Sequence, residues 1–529
     1  MLTLLAALLA LVQSTVATRA CPAPIVDVST PLFTTASNFA SWTIDPSRNR
    51  AFFDVNFSDP RLLYLASEIG NGSLLRFGGG GGDTLAYGFP QQCDSPRPAW
   101  GYDCLNKSTL DALLGVATAA SAKLVFALNI LPHGGGTPPP PWDPTAARAV
   151  LTYIRDSGFP LAGVELGNER NANGYKAAEQ AAAFRVLAAL LEELWPAPAG
   201  RPGLWGPDAD GAGPPTDSPG RLANLAAYLA AFVGNLSDVP LAAITWHEYI
   251  QVTSVSVLNA SALQASAHNA AALVAAVRRV DAAVPVWAGE VGPHTGNSIG
   301  NTTTTGTCGD NRLCGRFGSV LWYADAMASS AAAGLAGFAR QDLVGAYYAL
   351  VNTSAPGQPG TAVGGFAPSP DYYLLWLWQR LVGAQVLAVQ PPPGPAAASA
   401  PLRTYAFCSR NTSSAVLLVV VNLGAQAVCL GAPLFVPQGQ PLTVYTLTPG
   451  EPSQGVEAWG ARLNGRLLAL GEGGELPDLS GASVPAEGGV TLPATSVTLL
   501  VAPGGGGAAS RTEQNHYLVP STHNNKQYP

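Results

Sequence analysis

The strongest constraint on the fold is an alternation of short β-like runs with Ala/Leu-rich helical stretches, from about residue 60 to 385. The stretches Ala177 to Leu194 and Leu222 to Val233 carry apolar residues every three or four positions, as amphipathic helices do. Such alternation is typical of βα units around a parallel sheet. With one further run before residue 60, the β-like runs are Phe39 to Ile44, Leu74 to Gly79, Lys123 to Ile130, Gly163 to Glu169, Gly203 to Asp208, Ala243 to Tyr249, Pro285 to Val291 and Gly334 to Leu343.

Eight such repeats predict an α/β fold in which a parallel sheet closes into a (β/α)8 TIM barrel with loop insertions. An open, doubly wound sheet is the structural alternative. The open sheet is less favoured because no Gly-x-Gly-x-x-Gly turn opens the first βα unit.

The pattern changes after a Pro/Ala-rich segment at about residues 390–400. The runs beyond it, Val416 to Leu423, Leu442 to Leu447, Arg462 to Leu470 and Ser496 to Val501, predict a C-terminal β-sandwich domain. The segment Ile25 to Phe33 also has a strand pattern, and we expect it to join that domain. The expected division is a signal peptide at 1–20, a catalytic barrel at 38–386, a sandwich at 24–37 plus 387–502, and a disordered tail at 503–529.

The apolar run Leu2 to Val12, followed by small and polar residues up to Ala20, predicts a cleaved secretory signal. A buried first helix is the alternative. No other segment has about 18 uninterrupted apolar residues, so no stable membrane insertion is expected. We expect an extracellular protein, associated with the cell wall or the membrane surface, and a vacuolar location stays open.

Cysteine usage agrees with export. Of the seven cysteines, we expect Cys93 to pair with Cys104, Cys308 with Cys314, and Cys408 with Cys429, which leaves Cys21 over. A zinc site is not predicted, because no Cys-x₂-Cys or His-x₃-His spacing accompanies them. Glycosylation sequons stand at Asn56, Asn71, Asn106, Asn235, Asn259, Asn301, Asn352 and Asn411.

Charge excludes two classes of partner. Charged residues make up 12% of the chain, the net charge is −7, and only four residues are lysine. A broad basic surface for nucleic acid or a membrane is therefore not expected. The same deficit argues against a heparan-type polyanion as substrate, although arginines inside a cleft could hold one carboxylate.

Two β-like runs end in glutamate. Glu169 closes the fourth run and Glu290 the seventh, so both carboxylates are expected at the mouth of the barrel, where reactive groups of this fold lie. Retaining glycosidases need two carboxylates roughly 5–5.5 Å apart, one as nucleophile and one as acid/base. A solvated surface carboxylate is the alternative for either residue alone. The pair predicts a retaining glycosidase that uses no cofactor and no metal.

The neighbours of these residues suggest supporting roles. The amide of Asn168 is placed to bind the 2-hydroxyl of a sugar, a contact that strengthens in the transition state. We expect His247, near the end of the sixth run, to bond the nucleophile side of the site. Trp246 is expected to form one wall of the site.

The chain resembles glycoside hydrolase family 79, the heparanase-like β-glucuronidases, and its plant members in particular. The resemblance runs from about Asn38 to Val501. The motifs that carry it are Leu75-Arg76-Phe77-Gly78-Gly79 with Asp83, Phe126-Ala127-Leu128-Asn129, Glu165-Leu166-Gly167-Asn168-Glu169, Gly206-Pro207-Asp208, Trp246-His247, Gly289-Glu290, Arg340-Gln341, Tyr347-Tyr348, Pro370-Asp371-Tyr372-Tyr373 and Leu381-Val382-Gly383.

The resemblance implies Glu169 as proton donor and Glu290 as nucleophile. It also implies that Tyr348 recognises a uronate and that Gln341 contacts the sugar. The remaining residues expected to bind substrate are Asp83, Asn168, His247 and the glycine-rich loop from Gly296 to Gly300, whose amides would hold the uronate carboxylate.

Two departures from the family pattern bear on specificity. Gly80 stands where a hydroxyl residue is common, which predicts the loss of one uronate contact. Arg170 stands where Pro or Leu is commoner, and it is expected either to meet a substrate charge or to face solvent.

The sequence therefore predicts a secreted retaining glycosidase, expected to be a monomer, that removes β-linked glucuronic acid from extracellular or cell-wall glycans. A retaining barrel enzyme of other specificity, such as a β-glucosidase or xylosidase, is one alternative. A catalytically silent glycan-binding wall protein is the other.

Overall fold

The computed structural model of the chain describes residues 21–46, 52–70, 72–89, 103–131, 141–211, 219–293, 313–345, 348–353, 365–390, 401–412, 414–433, 435–437 and 439–504. The predicted signal peptide lies outside these ranges, as does the predicted tail from residue 505 onward. In the described part of the chain, no helix is long and apolar enough to cross a membrane.

The predicted barrel is confirmed: its strands form one closed sheet in which every neighbouring pair is parallel. Most strand residues are buried, as expected for a parallel sheet whose outer face is covered by helices. In chain order the barrel strands are Ala40–Ile44, Leu74–Phe77, Lys123–Leu128, Leu161–Leu166, Gly203–Ala209, Leu241–Tyr249, Val286–Gly292 and Gly337–Arg340.

A helix follows each barrel strand. Local signals set the helix starts: Asp59 caps the first helix by accepting the N–H of Arg61 at 2.8 Å, ahead of a proline at its first position. Asn106 caps the second by accepting the N–H of Thr109 at 2.9 Å. The helices are Pro60–Glu68, Lys107–Ala119, Thr145–Asp156, Ala177–Leu194, Pro219–Asn235, Ala260–Arg278, Phe317–Ala332 and Pro370–Leu381.

The second part of the chain forms a 10-stranded sheet beside the barrel. The predicted N-terminal contribution is present as two short strands, which both pair with the strand that leaves the barrel. Its strands are Ile25–Asp27, Phe33–Thr34, Val382–Gln390, Leu402–Ser409, Val416–Asn422, Pro441–Pro449, Ala461–Leu463, Arg466–Leu467, Ala482–Pro485 and Ser496–Ala502.

The central strand Val416–Asn422 shows how this sheet is packed. Leu417 and Val419 belong to the same apolar cluster as the helix Phe317–Ala332 of the barrel. Leu418 and Val420 face the opposite way, toward a two-stranded sheet of Val428–Leu430 and Val490–Leu492. The strand is therefore buried on both faces, which explains its uninterrupted apolar sequence.

One predicted disulfide is wrong. Cys429 pairs with Cys21, with their Cα atoms 5.4 Å apart, and Cys408 is free. The two cysteines expected to pair lie in different sheets. The N–H of Gly431 donates to the carbonyl of Pro22 at 2.9 Å, which brings Cys21 alongside Cys429 instead.

The other two pairings stay predictions. Cys104 and Cys314 are disulfide-bonded. Their expected partners, Cys93 and Cys308, lie outside the described residues.

Candidate active site

Arg76, in the second barrel strand, lies at the centre of a buried polar network and is 3% exposed. Its Nε donates to Glu165 at 2.7 Å and its Nη1 to Glu290 at 2.9 Å. Its Nη2 donates to Asp208 and, at 3.3 Å, to the side-chain oxygen of Asn168. One guanidinium therefore links the ends of four different strands, which suits its rigid fork of donors.

Glu169 follows the fourth strand in a tight turn. Its backbone is left-handed, with φ 53°, and that of Gly167 has φ 79°. A Cβ at Gly167 would also lie 2.8 Å from a methyl carbon of Ile130, so the turn needs glycine for its conformation and for space.

Three successive backbone N–H groups hold this turn. Gly167, Asn168 and Glu169 each donate to a group from a different part of the barrel. The acceptors are the Leu128 carbonyl at 2.9 Å, the Asp83 carboxylate at 2.7 Å and the Asp208 carbonyl at 2.8 Å.

Glu290 lies within the seventh strand and is 4% exposed. Beside the Arg76 contact, its second oxygen accepts the hydroxyl of Tyr249 at 2.5 Å. The side chain of Glu169 is 31% exposed, so the two carboxylates have different environments. A carboxylate oxygen of each and a ring nitrogen of His247 all lie within 4.8 Å of one another.

His247 was expected to bond Glu290, but it binds Glu169 instead. Its Nδ1 lies 2.8 Å from Glu169 and 3.9 Å from Glu290, and its Nε2 lies 2.6 Å from Asp208. Burial alone lowers the pKa of His247, but the charges of Asp208 and Glu290 raise it well above its usual value. The imidazole is therefore a cation beside the carboxylates of Asp208 and Glu290. Trp246 does not wall the site, because it is 1% exposed and points into the core.

Two buried carboxyls behind the site have pKa values that are shifted in opposite directions. Burial raises the pKa of Glu165 to about 7, with help from the charge of Asp208. Burial acts in the same direction on Asp208, but the charges of Arg76 and His247 outweigh it and lower the pKa of Asp208. Asp208 is therefore the ionised partner of both cations.

The structure brings two further predicted residues to the rim. The hydroxyl of Tyr348 lies 3.4 Å from that of Tyr249, which donates to Glu290. Gln341 donates to Asp45 at 3.2 Å and accepts the hydroxyl of Thr43. Asp45 thus also belongs to the site, at the end of the first strand.

Other predicted residues have a different outcome. Asp83 is 4% exposed, and its oxygens are occupied by backbone N–H groups of Asn168 and Ile130, so it supports the turn that carries Glu169. Arg170 does not simply face solvent, since its side chain is 14% exposed and its Nε pairs with Asp83 at 3.0 Å. Gly296 and Gly300 lie outside the described residues.

Glu169, His247 and Glu290 are also the described residues whose spacing could hold a metal ion. The guanidinium of Arg76, 2.9 Å from Glu290, already supplies positive charge to that carboxylate. The arrangement suits a cation-stabilised carboxylate pair.

Arg76, Asp208 and Glu165 stand in the sequence motifs, but their shared hydrogen-bond network was not predicted. The role of Tyr249 was not predicted either. The signal that could have found Tyr249 is the two-residue period of a strand, which places it on the same face as His247.

No family model matches the chain. Mouse (Mus musculus) heparanase is 27% identical over 414 residues, which cover 75% of this chain and 69% of that protein. Heparanase-like protein 3 of Arabidopsis thaliana is 24% identical over 375 residues, 66% of this chain and 62% of that protein. The chain is a homologue of the heparanases and heparanase-like proteins. A shorter match, 28% identical over 182 residues, covers 34% of this chain and 31% of baicalin-beta-D-glucuronidase from Scutellaria baicalensis.

Solved structures support the fold of the chain. The GH51 arabinofuranosidase from Xanthomonas axonopodis pv. citri superposes with a TM-score of 0.61 at 13% identity, covering 92% of this chain and all (100%) of that one. A 4-O-alpha-L-rhamnosyl-beta-D-glucuronidase from Fusarium oxysporum 12S gives 0.60 at 15% identity, covering 91% and 99%. Relatives and fold together support a glycoside hydrolase.

Proposed function

We propose that the chain is a retaining β-glucuronidase that works by double displacement through Glu290 and Glu169. One observation carries the proposal: oxygens of the two carboxylates lie within 4.8 Å of each other at the strand ends of one barrel. Retaining enzymes keep their carboxyl groups about 5–5.5 Å apart, whereas inverting enzymes leave room for a water between them.

In the first step, a carboxylate oxygen of Glu290 attacks the anomeric carbon while the bond to the leaving oxygen breaks. Glu169 gives its proton to that oxygen, so the aglycone departs as an alcohol and a glycosyl ester of Glu290 remains. Arg76 and Tyr249, at 2.9 Å and 2.5 Å, keep Glu290 ionised and aimed before the attack.

In the second step, a water molecule attacks the anomeric carbon of the ester. Glu169, now a carboxylate, takes the proton of this water, and Glu290 leaves as a carboxylate. The imidazolium of His247, 2.8 Å from Glu169, stabilises the negative charge that Glu169 carries between the two steps.

A uronate at the reacting sugar is the substrate class we propose. The hydroxyl of Tyr348 lies 3.4 Å from that of Tyr249, which in turn donates to Glu290. A substituent of a sugar bound at Glu290 would therefore meet the Tyr348 hydroxyl. The relative from Scutellaria baicalensis is named for a β-D-glucuronide, which supports the same class. We further propose that the loop from Gly296 to Gly300 completes the carboxylate site.

The proposal is tested by the turnover of aryl β-D-glucuronide against aryl β-D-glucoside. We expect the glucuronide to be preferred and the β-anomer to appear first in a proton NMR time course. Preference for the glucoside would contradict the uronate, and early α-anomer would contradict retention.

The roles of the carboxylates are tested by substitution. Glu290→Gln should lose on the order of a thousandfold or more in kcat while keeping its fold. Glu192→Gln, on the barrel exterior, is the matched control. A mechanism-based glucuronide reagent should label the peptide that contains Glu290. A label elsewhere, or normal turnover by Glu290→Gln, would remove the mechanism.

We also propose that the protein is secreted. The disulfide between Cys21 and Cys429 supports this, since such bonds persist in oxidising compartments. The division into a catalytic barrel at 38–386 and a sandwich at 24–37 plus 387–502 is likewise our proposal. Detection of the processed chain in the medium of expressing cells would test secretion.

A further inference from the structure

Asp83 is a buried carboxylate that the proposed mechanism does not use. It lies in the 3-10 turn Gly82–Thr84, after the second barrel strand. One oxygen accepts the N–H of Asn168 at 2.7 Å and the other accepts the N–H of Ile130 at 3.1 Å. Asp83 therefore ties the loops that follow the second, third and fourth strands to each other.

Arg170 completes this arrangement from the other side. Its side chain is 14% exposed, and its Nε lies 3.0 Å from Asp83. The same Nε donates to the carbonyl of Asn168 at 2.7 Å. Asp83 and Arg170 thus bind both the N–H and the C=O of Asn168, the residue that precedes Glu169.

The charges of the pair strengthen this hold. Burial raises the pKa of Asp83 to about 6, and the guanidinium of Arg170 opposes that shift. Arg170 thereby favours the ionised carboxylate, which is a stronger acceptor of backbone N–H groups than a neutral acid. Without Arg170, a buried charge would lose its cation.

We propose that Asp83 and Arg170 are positioning residues for the acid/base. By fixing both sides of Asn168, they hold the left-handed turn at Glu169 and so aim its carboxyl at His247 and at the leaving oxygen of the substrate. This inference rests on the proposed function, because it assigns a task to the turn that carries the proton donor.

The test uses the dependence of rate on the leaving group. A misplaced proton donor slows substrates with a poor leaving group, whereas dinitrophenolate leaves without a proton. We expect Arg170→Leu to lower kcat/KM for phenyl β-D-glucuronide by about 10- to 100-fold and for the 2,4-dinitrophenyl compound by less than about threefold. Arg170→Lys should recover part of the loss, since it restores the charge but not the fork.

The control is Arg185→Leu, which removes an exposed ion pair with Asp238 outside the site. Equal loss on both substrates, or no loss on either, would overturn the positioning role. Asp83→Asn, which keeps the side-chain shape but removes the charge, should reproduce the selective loss.

Hydrogen exchange separates this inference from the proposed function. The peptide that spans residues 167–170 should exchange faster in Arg170→Leu than in the parent chain, and unchanged exchange would refute the hold on the turn. A parent chain that turns over neither glucuronide would end the proposed function, while the exchange measurement would still decide the role of the pair.

Discussion

The charge of His247 should depend on Asp208, and Asp208→Asn tests this with little change in shape. Asp208 lies 2.6 Å from Nε2 of His247 and also pairs with Arg76. In the parent chain, burial opposes the imidazolium, and the charges of Asp208 and Glu290 overcome it to raise the pKa of His247 well above its usual value. Loss of Asp208 leaves burial less opposed, so the pKa must fall.

The size of the fall follows from Coulomb's law. Two unit charges about 4 Å apart at an effective dielectric of about 20 interact by about 4 kcal/mol, or about three pKa units. Arg76 already neutralises part of the charge on Asp208, so we expect about one to two units. His247 would then lose its proton at lower pH, and with it the cation that, in the proposed mechanism, stabilises Glu169 after proton donation.

The assay is the pH profile of kcat/KM on an aryl β-glucuronide. The alkaline limb should move to lower pH by about one to two units in Asp208→Asn. Asp238→Asn, on the exposed surface, is the matched control. A limb at the parent position, in a variant that unfolds at the parent temperature, would refute the claim that Asp208 sets the charge of His247.

Three further predictions concern stability. Burial raises the pKa of Glu248 from 4.5 to about 7. The parent should therefore lose about 3 kcal/mol of folding free energy relative to Glu248→Gln as pH rises through this range. The measurement is urea unfolding of both proteins across pH, and an unchanged difference between them would contradict the prediction. Cys21→Ser should cost about 2–5 kcal/mol by opening the disulfide, whereas Cys408→Ser should be nearly neutral, and equal losses would reject the pairing. Gly167→Ala should cost about 1–3 kcal/mol, more than Gly158→Ala, which has a similar φ but open space around it; an equal cost would exclude the clash with Ile130.

The fold could be predicted because its signals are local. Alternating strand and helix patterns gave the eight barrel strands, and the helix Ala177–Leu194 was predicted to its ends. The predicted strand boundaries were wrong where the chain bends. The predicted strand Gly334 to Leu343 is only Gly337–Arg340, and Arg462 to Leu470 is a hairpin of two short strands turned at Asn464, which has φ 49°.

The network behind the carboxylates could not be predicted in the same way. Arg76 binds Glu165, 89 residues away, and Glu290, 214 residues away. No local pattern encodes which strand-end groups will share one guanidinium. The predicted disulfide was wrong for the same reason. Cys21 and Cys429 are 408 residues apart, whereas sequence spacing suggests pairs of cysteines that are close in the chain.

The sixth strand shows how one periodicity divides chemistry from structure. Thr245, His247 and Tyr249 face the site, where they accept the N–H of Asp208, bind Glu169 and donate to Glu290. Trp246 and Glu248 alternate with them and face the helices, where Glu248 accepts an amide hydrogen of Asn269 at 3.1 Å. A shift of the strand by one residue would replace the His247 imidazolium with the Glu248 carboxyl between Glu169 and Glu290. Three carboxyl groups would then lie together without the His247 cation. The register of this strand therefore determines the charge of the site.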